Sequence, residues 1–514
     1  VCVRGIAGVI FKEFFMLRSN PHLIEINLRH WLPQLRVKYS MPEMTLSSIP
    51  DEEWTELRRL GFDVVWFVGI WTPGAESALI ARKDQRLLQN LKQLSPELGE
   101  NDVASSPFVV SNYRLNPEFG FEWELKGLRE KLNSMGMKLM LDFVSNHVAK
   151  DAAAVTEHTD YFVQGNEQDY KDHPDWFFPL KKNDKTYYIA YGRDPNFPAW
   201  TDSAQINYFN PEARKCLMKA LMNVADMADG VRCDMVMLTL NEIHEKVWGW
   251  ALHRDGTYPC LQEEFWPRAI REVKEKYPGF IFLAEVYWGL EWRVQELGFD
   301  YTYDKGTYDR LRYQGPQEVH GHLLAEKLYQ KRSARFIDNH DETPSITLFG
   351  KEKSMAAGVV ISTIKGLRFY SQDQLDGIPF HIPLQFKSYF KRPENKEVKD
   401  FYRRLLQITD HPAFHGGEWI LLDVRPSSQS DKSSFNILSW SWTQRRARKI
   451  VVVNYSPSKS SGIINASVKP SGAETAIDEE LSGKKFIFKT EELDGGIHLR
   501  DLPPYGAYIF SIDL

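Results

Sequence analysis

Between residues 20 and 371 the chain alternates short β-branched or aromatic runs with longer amphipathic stretches, and nothing else in it restricts the fold as much. Strand-period runs separated by helix-period runs describe parallel strands joined by crossover helices. The strand runs are 23–27, 64–68, 138–143, 230–234, 280–285, 299–303, 334–337 and 367–370. Helical patterns lie between them. One covers 51–60, started by Pro50 and an acidic first turn, and another covers 122–135, stopped by Gly136. An α/β barrel is the expected outcome.

The rhythm breaks twice. Over 148–207 aromatics, prolines and charges crowd together, as in DHPDWFFPLKKND and GRDPNFPAW, and an inserted lobe after the third strand accounts for them. Beyond 416 the helical period disappears and short alternating strands follow, among them 449–454, 486–489 and 507–512. That tail reads as a separate all-β domain, with SPSKSSG as a hairpin loop. The expected division is an N-terminal extension at 1–19, a barrel at 20–147 and 208–415, a lobe at 148–207, and a β domain at 416–514.

At 514 residues and 43% hydrophobic composition the chain suits a multi-domain enzyme. Its 64 lysines and arginines against 69 acidic residues leave a net charge of -5, so neither nucleic acid nor membrane is an expected partner. No apolar run reaches the roughly 20 residues needed to span a bilayer. The first 16 residues lack the pattern of a signal peptide, and the expected location is the cytoplasm. Four scattered cysteines, Cys2, Cys216, Cys233 and Cys260, read as free thiols.

In an α/β barrel the chemistry is carried at the carboxyl ends of the strands. Four strands here end in polar groups after apolar runs: KLMLDFVSNH, GVRCDMVML, FIFLAEVYW and ARFIDNHDE. One such end reads equally well as a helix cap or a buried ion pair. Four together describe a site. Three carboxylates and an arginine, without metal-ligand spacing, suit cleavage of a glycosidic bond through an oxocarbenium-like transition state. Asp234 is the expected nucleophile, because Arg232 lies on the same strand face and can hold its charge. Glu285, set among Phe, Ile, Leu, Val286, Tyr287 and Trp288, suits a general acid. Asp341 follows Asn339 and His340 and adds a third negative charge for a cationic sugar.

These strand ends resemble the signature segments of the α-amylase family, glycoside hydrolase family 13. Asp142, Asn146 and His147 fit DxxxNH; Gly230, Arg232 and Asp234 fit GxRxD; Glu285 fits the acid/base strand; Asn339, His340 and Asp341 fit NHD. SPFVVSNYRLNPEFG, QINYFNPE and GLRFYSQDQLDG extend the similarity over most of 20–386. The resemblance implies a (β/α)8 TIM barrel, an inserted lobe after strand 3, a C-terminal antiparallel β-sandwich, and retention of α-configuration through a covalent intermediate. It implies an oligosaccharide or α-glucan as substrate, with sugar contacts from Asp142, His147, Arg232 and His340, and stacking at Phe108, where the family usually has tyrosine.

The chain departs from the family after the nucleophile. Met237 and Leu238 stand where many starch-degrading members carry Lys-His, so acceptor binding is expected to differ. The backbone of that histidine also helps form a common calcium site with the asparagine matching Asn146. Calcium needs six to eight oxygens and no Asp-rich loop supplies the rest, so no cofactor is expected and no metal is assigned. Cys233, neighbouring the nucleophile on a strand, is expected to face the opposite way. Most of the lobe's aromatics, such as Trp176 and Trp200, read as its core. The expected activity is hydrolysis of α-1,4-glucosidic bonds. The alternatives are a transglycosidase or isomerase of the same family, and a non-catalytic amylase-like binding protein, against which the intact carboxylates argue.

Overall fold

The computed structural model describes residues 17–254 and 258–513. Residues 1–16, which hold Cys2 and most of the expected N-terminal extension, lie outside the described residues. Eight parallel strands close a barrel in chain order: β1 (His22–Asn27), β2 (Val64–Val68), β3 (Lys138–Val144), β4 (Gly230–Asp234), β5 (Ile281–Ala284), β6 (Tyr301–Tyr303), β7 (Ser333–Arg335) and β8 (Leu367–Ser371). β8 pairs back onto β1, with Ile24 opposite Tyr370. The barrel is thus sealed without a free edge.

Alternation along each strand separates two buried layers. Leu23, Trp66, Met140, Leu283, Tyr303 and Phe369 pack together inside the barrel. Ile24, Phe67, Leu141, Val231, Phe282 and Tyr370 belong to a second cluster, shared with the surrounding helices. Helix α1 (Asp51–Arg59) starts after Pro50 with three acidic residues and ends on two arginines, charges that complement its dipole. Helix α2 (Glu122–Ser134) stops before Gly136, whose φ of +77° ends it. Each returns the chain directly to β2 and β3.

After β3, strand His147–Ala149 pairs antiparallel with Ser203–Gln205 and ties together the two ends of the inserted segment. Within it Phe177–Lys182 and Lys185–Ala190 form a hairpin across Asn183 and Asp184, with Gln164–Gly165 as a third strand. Toward the C-terminus a six-stranded antiparallel sheet faces a three-stranded one, and Leu422, Val452, Ile464, Ile497 and Phe510 pack between them. The SPSKSSG segment is not a hairpin loop. It joins Ala447–Asn454 in the larger sheet to Ser460–Ile464 in the smaller, and Asn454 Nδ2 donates to Ser458 O (2.8 Å) to hold the crossing.

Candidate active site

Period-two alternation turns Arg232 and Asp234 of β4, Asp142 of β3, Glu25 of β1 and Tyr303 of β6 toward the barrel axis, with Glu285 just beyond β5. Gly230 sits one step deeper, where a Cβ would meet Ile281 O at 2.8 Å. Above it Arg232, with no exposed surface, spreads its guanidinium across the site. Nη1 donates to Asp234 Oδ1 (2.5 Å), Nη2 lies 2.9 Å from Glu285 Oε2, and Nε donates to Tyr303 OH (3.2 Å). Trp66 and Phe108 place their rings against the same cation, at 5.4 and 5.1 Å.

At Met235 the backbone turns left-handed (φ 45°, ψ 47°), aiming its N–H at Glu285 Oε2 (2.8 Å). Tyr287 OH donates to the other oxygen of Glu285 (2.8 Å). Burial nevertheless pushes Glu285 up to about 7, with the negative charges of Asp234 and Asp341 adding to it and Arg232 opposing. Burial also raises Asp234, against the pull of Arg232. One guanidinium serves two buried carboxyls, and burial pushes both toward their protonated forms. Arg232 acts on Asp234 in the expected direction, but desolvation outweighs it.

The other expected residues divide into those that face the cleft and those that brace it. Asp341 follows β7 and leaves 49% of its side chain exposed, while its Oδ2 lies 3.1 Å from His340 Nε2. Burial would raise its pKa, but the nearby charge of His340 holds Asp341 down at about 2. His340 stacks on Phe108 (5.0 Å, 28°) and gives its Nδ1 to Glu25. Asp142 is spent internally, accepting from Trp66 Nε1 (3.1 Å) and Gly69 N (2.6 Å). His147 lies against Trp200 (5.0 Å), and burial lowers it to about 4. Met237 and Leu238 are buried in a short 3₁₀ turn and offer the cleft no polar group. Cys233 faces the outer layer with Val231 and Phe143.

Around Asn146 the donors do not suit a calcium ion. Gln205 Nε2 donates both to Asn146 Oδ1 (2.9 Å) and to Asn146 O (3.0 Å), so both oxygens are already engaged by an amide. Among the described residues no three His, Cys, Asp or Glu side chains gather as a metal site. Three residues of the site escaped sequence reasoning, Glu25, Trp66 and Tyr303, while Tyr287 was read only as part of the apolar setting of Glu285 and not as a donor to it. Glu25 carried a signal, a lone carboxylate inside the apolar run LIEI. Trp66 and Tyr303 carried none, because each is unremarkable in a barrel strand until its partner across the barrel is known.

The family model described as the α-amylase catalytic domain matches residues 57–375. The α-amylase MalA of Haloarcula japonica is 23% identical over 282 residues, 53% of this chain and 36% of its own length. The intracellular maltogenic amylase of Bacillus subtilis is 23% identical over 362 residues, 64% of this chain and 55% of its own length. The chain thus spans little more than half, or less, of these curated relatives. Among solved structures, the noncanonic maltogenic α-amylase AmyB of Thermotoga neapolitana superposes with a TM-score of 0.67 at 17% identity, covering 96% of this chain and 99% of its own. That likeness establishes the shared fold. With more than half its length matched by the family model, the chain belongs to the α-amylase family.

Proposed function

We propose that the chain is a retaining α-glycosidase that hydrolyses α-1,4-glucosidic bonds in maltooligosaccharides or α-glucans. Asp234 attacks the anomeric carbon, Glu285 protonates the leaving oxygen and then activates water, and Asp341 binds the sugar of the cleaved bond. The observation that carries this reading is the single guanidinium shared by Asp234 and Glu285, at 2.5 and 2.9 Å. It keeps the two carboxyls close, as a retaining pair about 5–5.5 Å apart requires, and it leaves one charged and one protonated. The buried Met237 and Leu238 support weak binding beyond the scissile bond, hence a preference for short maltooligosaccharides over starch.

The test is a product analysis with maltotetraose, maltoheptaose and soluble starch, following the anomer of the first product by NMR. Hydrolysis with an α-anomer released first is expected. Asp234→Asn should fold normally and lose about three or more orders of magnitude in kcat, since an essential nucleophile is gone. A β-anomer first would exclude retention, and longer products would replace hydrolysis by transfer.

A further inference from the structure

We propose that Glu25 of β1 is a positioning residue for Asp341, acting through a doubly protonated His340 that bridges the two carboxylates. The inference rests on the reading of Asp341 as the sugar-binding carboxylate.

Glu25 is 3% exposed and stands between Ile24 and Ile26 in the middle of β1. One of its oxygens meets His340 Nδ1, and the other has no hydrogen-bond donor among the described residues. A buried carboxylate without a counter-charge is costly, so the imidazole is the group that balances it. The opposite ring nitrogen, Nε2, is 3.1 Å from Asp341 Oδ2, an ion-pair distance without hydrogen-bond alignment. A neutral imidazole balances the charge of neither carboxylate, whereas an imidazolium held between Glu25 and Asp341 balances both. The geometry therefore asks for the charged ring.

The surroundings keep that ring in place. Phe108 stacks on it (5.0 Å) and Trp66 meets it edge-on (5.7 Å). His381 Nε2 bonds His340 O (2.8 Å), Asp142 approaches from β3, and Arg232 of β4 lies beyond the Phe108 ring. Burial alone would discharge His340, but Asp341 and Glu25 together raise it well above an ordinary histidine. Asp341 is consequently anchored from beneath by a cation that survives neutral pH, leaving its outer oxygen for the sugar.

The experiment compares kcat/KM of Glu25→Gln with wild type across about pH 5.5–8.5, the ratio cancelling ionisations common to both. Glutamine keeps an acceptor for Nδ1–H but withdraws one of the two negative charges, so His340 should lose its proton at lower pH. The ratio is expected to lie within about threefold of unity at the acid end and to fall at least about tenfold by the alkaline end. Circular dichroism at each pH shows that the variant stays folded. An unchanged ratio, or a loss equal at all pH, overturns the proposal. A second arm needs no variant at Glu25: imidazole ¹⁵N spectra of the wild type, assigned with His340→Gln, should show both His340 nitrogens protonated to about pH 8. Titration of that ring in the ordinary histidine range overturns the proposal by itself. If the wild type has no activity on α-glucans, the proposed function fails, and the spectra still decide the state of His340.

Discussion

At the scale of single residues the site is a problem of distributing one proton and one guanidinium among buried carboxyls. As the proposed acid, Glu285, which burial raises to about 7, must carry its proton. kcat/KM should therefore fall as pH rises through about 7. Tyr287 opposes that elevation, because its hydroxyl donates to the charged form. Tyr287→Phe removes a hydrogen bond worth about 0.5–1.5 kcal/mol, which at 1.36 kcal/mol per unit raises the acid by about 0.4–1.1 pH units. The alkaline limb should move up by that amount while the rate near pH 6 stays within about threefold. A limb that stays put, or moves down, excludes Tyr287 as a donor to the acid.

At the scale of elements, the loop after β2 holds the site as firmly as the strands do. Gly69 has φ +65°, a Cβ there would meet Pro107 Cβ at 2.1 Å, and its N–H donates to Asp142. Gly69→Ala therefore adds left-handed strain of about 1–2 kcal/mol and pushes on Pro107, whose neighbour Phe108 stacks on His340. A loss of at least about tenfold in kcat/KM is expected, with a modest drop in Tm. Gly99→Ala, where nothing lies within 4 Å, serves as the control. Elements of this kind were unequally legible. β2 follows from its apolar run VVWFV to the residue, and β4 matches its expected bounds although it carries Arg232 and Asp234, because both turn inward and leave its backbone pairing intact. β6 begins at Tyr301, later than the run at 299 suggests, since Asp300 spends its carboxylate on Phe282 N (2.9 Å). The three carboxylates were readable because each lies at or beyond the end of a different strand, and Arg232 because it shares β4 with Asp234. The link from Glu25 to His340 was not, since it joins residues 315 apart that only barrel closure brings together.

At the scale of the whole molecule, the C-terminal sheets are not an appendage. One face of the larger sheet, with Trp440, Trp442, Val451 and Ile509, belongs to the same buried cluster as Ala356, Ile361 and Phe414 of the barrel's outer layer. Trp442 is fully buried and its Nε1 donates to Thr363 O (2.6 Å) at the end of helix Lys351–Thr363. Tyr455 OH donates to Leu311 O (2.7 Å) in the same way. Because the barrel's helices complete their core on this sheet, neither part can unfold without exposing the other's apolar face, and unfolding should be one cooperative event. Trp442→Ala removes a large ring and leaves Thr363 O without its donor, a change worth about 3–5 kcal/mol. In calorimetry the wild type should give a single endotherm, and the variant a single endotherm at lower temperature. Two separated transitions, with the substitution moving only one, would mean that the barrel and the C-terminal sheets hold themselves up independently and that the shared cluster couples them weakly.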